Sequence, residues 1–195
     1  MLFRSGYLML VANSTLSAMI YNGVTILLPL LFQELGFLPG KAGVYLATGS
    51  LAGAIANVIG AELSDHIGRR TINIIVATGV AVTLLMFVLT GSTSIFWFPA
   101  MTFFACFTLS SNIVFAHELV TSHRGLVSAS IMGISWGVGG LVVVLLGQWA
   151  QRTSIISAYH LLLGVAAVLV VLAFLLPTRH AIRAALQPFP IHEQA

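Results

Sequence analysis

Two short polar stretches hold most of the residues in this chain whose types and spacing could do chemistry. One is Leu63-Ser64-Asp65-His66-Ile67-Gly68-Arg69-Arg70, and the other is His117-Glu118-Leu119 followed by Arg124-Gly125. Asp65 and Glu118 are acids, Arg69, Arg70 and Arg124 are bases, and the chemistry on offer is ion pairing between two loops. Covalent chemistry finds no comparable set. Ser135 sits in Gly133-Ile134-Ser135-Trp136-Gly137, which fits the G-x-S-x-G nucleophile pattern, but that pattern works at a sharp strand-to-helix turn. Here it falls inside a long apolar run, and His160, the one histidine that could serve it, lies at the far end of another run. Cys106 is the lone cysteine, so it has no intrachain partner and belongs to no metal-binding cluster. No catalytic residue, metal or cofactor is expected.

The rest of the chain explains why so few polar groups are present. Of 195 residues, 58% are hydrophobic and 7% are charged, and the mean hydropathy is +1.03. A soluble domain of this size cannot make a polar surface from that composition. Apolar runs cover residues 7–32, 42–61, 71–90, 95–116, 125–150 and 155–177, the last with a true span nearer 159–176. Each reaches the roughly 20 residues needed to cross a bilayer as a helix. The expectation is an all-α membrane protein, with a six-helix domain over 1–177 and a cytoplasmic tail over 178–195. A charge cluster costs too much to sit in lipid, so both polar stretches belong at a membrane surface.

The cations set the orientation. With the amino terminus inside, Arg4, Arg69, Arg70, Arg124, Arg179 and Arg183 face the cytoplasm, and Lys41 and Arg152 face out. This is the bias that resists translocation of positive loops, and it puts both termini in the cytoplasm. It also accounts for a pI near 9.5 without a nucleic-acid partner. The first run carries Asn13, Asn22 and Pro29 and ends in Gln33-Glu34, so it is not a cleaved signal peptide. Leu2-Phe3-Arg4-Ser5 is what a short-read sequencing adapter (CTC TTC CGA TCT) encodes in frame, so we expect a fragment.

The runs also differ in polarity. Ser14, Ser17, Tyr21 and Thr25 gather on one face of the first helix, and Thr108, Ser110, Ser111 and Asn112 mark the fourth. Leu161 to Leu176 has no polar side chain at all. Polar faces need protein or a water-filled cavity, whereas apolar helices suit lipid. Helices 1 and 4 should therefore line something, with Ser14, Ser17, Tyr21, Thr25, Ser111 and Asn112 as the candidates, while helices 3 and 6 form the outer wall. In the fifth run Ala129, Gly133 and Gly137 recur at four-residue spacing, joined by Gly140, which is the pattern of a close helix–helix contact.

The first polar stretch resembles the signature loop of the major facilitator superfamily, G-x-L-A-D-R-x-G-R-R/K. Leu63, Asp65, Gly68, Arg69 and Arg70 match it, while Ala61, Ser64 and His66 depart from it. The stretch from His117 to Ser128, with Met132-Gly133 and Trp136 to Gly140, is similar to the carboxy-terminal half of fosmidomycin-resistance-type exporters. The resemblance implies half of the family's fold, built as two three-helix repeats with the first helix of each at a cavity. It implies a partner for Asp65 at the start of helix 5, and a latch of Asp65, Gly68, Arg69, Arg70, Glu118 and Arg124 across the two inner loops. It further implies a small-molecule substrate, efflux across a bacterial inner membrane by alternating access, and a missing amino-terminal half or a second copy as partner. No Asp, Glu, Lys or Arg falls in the middle of any span, so an antiporter's proton site would lie in the other half.

Overall fold

A computed structural model describes residues 2–90, 96–119 and 124–176. The expected tail over 178–195 lies outside the described residues, as do the side chains of Asp65 and Arg124. Six helices follow one another: α1 (Leu2–Glu34), α2 (Pro39–Ile67), α3 (Arg69–Leu89), α4 (Trp97–Leu119), α5 (Arg124–Arg152) and α6 (Ile155–Leu175). Each is long and apolar enough to cross a membrane. The fold is the six-helix, all-α one that the hydropathy pattern demands.

Local chemistry sets the breaks between helices. After α1 the chain turns at Gly36, whose φ is +74°. The Gly36 N–H donates to Gln33 O at 3.1 Å and the Phe37 N–H donates to Phe32 O at 2.9 Å. That pair is a Schellman cap, and the Phe32 and Phe37 rings supply its apolar clasp at 5.4 Å between centroids. Pro39 then opens α2 at a position where its missing N–H costs nothing. Between α2 and α3 stands Gly68 alone, at φ +99° and ψ +131°. A side chain is strained there, so glycine is what lets one residue reverse the helix direction. The Ser154 side chain accepts from the Ser157 N–H and caps α6. That cap starts α6 at Ile155, about one turn before the expected span.

The packing follows a repeat. The first helix of each three-helix set packs on the second and third helices of the other set. Thus α1 lies against α5 and α6, α4 lies against α2 and α3, and α1 and α4 touch at the centre while α3 meets α6. Glycines make the close approaches. A Cβ at Gly53 would come within 2.8 Å of Cys106 Sγ, and one at Gly79 within 2.7 Å of the Phe104 ring. Thr102 Oγ1 donates to Gly49 O at 3.0 Å, so α2 and α4 are also stitched by a hydrogen bond. The main core runs through Leu27, Leu28, Phe87, Phe98, Tyr159 and Leu162.

α1 and α4 are the most buried helices, as their polarity suggested, and within this chain α2 and α5 are the most open, ahead of α3 and α6. Lack of polar side chains makes a helix compatible with lipid without obliging it to face lipid. α3 and α6 bury Val76, Val80, Leu84, Leu162, Ala166 and Leu169.

Candidate functional site

At the end of the bundle where α2 meets α3, the two polar stretches come together. The Gly68 turn sets Arg69 on the first position of α3, and there Arg69 Nη2 lies 2.9 Å from Glu118 Oε1 on the last turn of α4. Arg69 is 4% exposed, while the Glu118 side chain is 36% exposed. A guanidinium this buried needs an acid beside it. Arg70 points elsewhere: its Nη2 donates to Phe174 O at 2.7 Å, in the last turn of α6. A cation on the free carbonyls of a helix end is favoured both as a hydrogen bond and by the dipole. Adjacent arginines thus hold two different helices.

Two contacts that the sequence did not single out complete this end. His117 Nε2 and Ser128 Oγ are 2.6 Å apart and join α4 to α5. Tyr7 and Ser130 hydrogen-bond through their hydroxyls and join α1 to α5. His117 was visible as the neighbour of Glu118, but nothing in its spacing named Ser128 as its partner.

Further along the bundle, Asn112 Nδ2 donates to Asn13 Oδ1 and to Ser14 Oγ, both at 2.9 Å. Ser17 Oγ donates to Ala105 O at 3.2 Å. Ser14, Ser17, Ser111 and Asn112 are fully buried, so four of the six residues read as cavity-lining lie in the seam between α1 and α4. Tyr21 and Thr25 alone of the six are partly exposed. The physical reason is that a polar face can be satisfied by a neighbouring helix as well as by water. The seam keeps spare hydrogen-bonding capacity, since Asn13 Nδ2, Asn112 Oδ1 and Ser111 Oγ have no protein partner.

α4 and α5 each pack on α1 and only lightly on each other, which leaves a groove with α1 as its floor. Tyr21 lies on that floor. One side of it meets the cluster of Ala56, Ile72, Val76, Cys106 and Phe107, and the other meets Trp136 of α5, edge to face, at 5.6 Å and 70°. On α5 the close approach to α1 falls at Gly139, where a Cβ would be 3.1 Å from the Ala18 carbonyl carbon and from Asn22 Nδ2. Gly133, Gly137 and Gly140, read as packing positions, have no atom within 4 Å of such a Cβ and lie on the open face. Four-residue spacing holds for Ile131, Ser135 and Gly139 as well, and that is the row the structure buries.

A six-helix bundle of two interlocked three-helix repeats, with an Arg–Gly loop motif at one end, defines a membrane-transporter architecture. The family model of the Major Facilitator Superfamily matches residues 1–140. The chain belongs to that superfamily, a class of transporters rather than enzymes. It is 32% identical over 135 residues to the fosmidomycin resistance protein of Escherichia coli K12, covering 67% of this chain and 32% of that protein. It is 27% identical over 146 residues to the uncharacterized MFS-type transporter YfnC of Bacillus subtilis 168, covering 73% of this chain and 35% of that one. The matched segment spans about a third of either relative.

Proposed function

We propose that this chain is the carboxy-terminal six-helix half of a transporter that exports a small molecule across the bacterial inner membrane by alternating access. The observation that carries the reading is the Arg69–Glu118 pair, which joins the start of α3 to the last turn of α4 at one end of the bundle. In an outward-open state the cytoplasmic ends of the helices must be held together, and a charge pair between them is a suitable latch. Asp65 and Arg124 would belong to the same latch, Arg70 would tie α3 to the end of α6 beside it, and the orientation follows the cation bias, with both termini inside.

The groove between α4 and α5 would form this half's wall of the substrate cavity. Tyr21 and Thr25 would face the substrate, and Ser14, Ser17, Ser111 and Asn112 would brace them from behind. The open faces of α2 and α5 call for a second six-helix body. A missing amino-terminal half fits that need, and so does a second copy of this chain. Genomic sequence upstream of residue 1 separates the two: six further helices in frame support the first, and an intact promoter and ribosome-binding site support the second.

The test is a resistance and uptake screen of the complete protein in an exporter-deficient strain, with fosmidomycin included in the panel. Lower accumulation of at least one compound, abolished when the membrane is de-energised, is the expected result. Unchanged accumulation across a broad panel, with the protein present in the membrane, would contradict the reading.

A further inference from the structure

Tyr21 and Trp136 stand near the middle of their spans, α1 from Gly6 to Glu34 and α5 from Gly125 to Arg152. Their rings meet edge to face, so the pair is held in one orientation by its own quadrupoles. Trp136 is nevertheless 39% exposed, and its helical neighbours on the open face are Gly133, Gly137 and Gly140, which fill none of the space beside it. Elsewhere α5 exposes Leu126, Met132, Ile134, Leu141, Leu145 and, near its far end, Trp149. Trp136 differs from them in touching the floor of the groove.

We infer that Tyr21 and Trp136 form a stacking subsite, at mid-membrane height, for a flat aromatic ring system in the transported molecule. This inference rests on the transport reading above and adds the substrate class. A glycine-flanked indole offers a broad rigid face with room for a second ring. The middle of every span lacks Lys and Arg, so this wall has no cation to hold a compact anion. The faces of aromatic rings are electron-rich, which repels anions and accepts neutral rings or delocalised cations. Tyr21 is partly exposed, and its hydroxyl can orient a polar edge of the same molecule.

The experiment uses the complete protein in lipid nanodiscs, with ethidium as the flat aromatic probe and tetrabutylammonium as a ringless cation of equal charge. Equilibrium binding is measured by ethidium fluorescence and by competition. Trp136→Leu should weaken ethidium binding about five- to tenfold, as loss of one stacking partner implies. Trp136→Phe should stay within about twofold of wild type, and tetrabutylammonium should be indifferent to both variants. Three results would each overturn the subsite: no ethidium binding by the wild type, equal binding by Trp136→Leu, or an equal loss for tetrabutylammonium. Binding and transport can fail separately. Ring-dependent binding without export of any compound would sink the transport reading, and export of other compounds without ethidium binding would sink the subsite.

Discussion

Arg69 and Glu118 meet at 2.9 Å although they belong to different three-helix repeats of the fold. A surface ion pair is worth little, about 0–1 kcal/mol. This one differs because the Arg69 side chain is nearly buried, where water and salt screen its attraction to Glu118 less. The pair is therefore suited to bias an equilibrium, for which about 1.4 kcal/mol already gives a tenfold shift.

Gly68 makes that pair geometrically possible. Gly68→Ala must force a side chain into a backbone conformation at φ +99°, at a cost of about 1–2 kcal/mol. We expect a lower Tm for the purified protein together with faster modification of a cysteine on the cytoplasmic side of the groove. An unchanged Tm would show that the α2–α3 turn is not held in this conformation.

The seam between α1 and α4 predicts a contrast between neighbours. Asn112→Ala removes both bonds from Nδ2 and leaves Asn13 Oδ1 and Ser14 Oγ buried without that donor, which should cost about 1–3 kcal/mol in a denaturant titration. Ser111→Ala, which removes a hydroxyl with no protein partner, should change stability by less than about 0.5 kcal/mol. Equal effects from the two would argue that the network does not hold the helices together.

A second contrast lies on α5. Gly139→Ala places a methyl 3.1 Å from the α1 backbone and should destabilise by about 1–3 kcal/mol through overpacking. Gly137→Ala meets nothing within this chain and should be neutral or stabilising by up to about 1 kcal/mol from helix propensity. Loss of transport in a stable Gly137→Leu variant would mark the open row as a face that meets the substrate or the other six-helix body.

Orientation is read with single cysteines after Cys106 is replaced by Ala. A cysteine at Gln151 should react with an impermeant thiol reagent in whole cells, and one at His66 should not. The reverse pattern would invert the topology.

Most of the fold was legible because bilayer thickness imposes a long, chain-local signal: six apolar runs became six helices. The loop motif was legible because Asp65, Gly68, Arg69 and Arg70 have few other reasons to stand together in so apolar a chain. What the sequence left ambiguous was which face of each helix meets protein. Ser14 and Asn112 carry the same polarity whether they meet each other or water, and the rows of Gly133 and Gly139 share one spacing. The hydrogen bond from Arg70 to Phe174 O was hidden for another reason, since a backbone carbonyl as acceptor leaves no mark on residue type.

The latch is tested most directly by exchanging its charges in the complete protein. Arg69→Glu alone and Glu118→Arg alone each place like charges together. Each should cut transport at least about tenfold and speed labelling of a cytoplasmic-side groove cysteine by a similar factor. The double exchange restores the attraction and should return both readouts to within about threefold of wild type, a coupling of the size that contacting residues show. If the single variants transport and label as the wild type does, or if the double variant recovers neither property, Arg69 and Glu118 do not latch the two repeats.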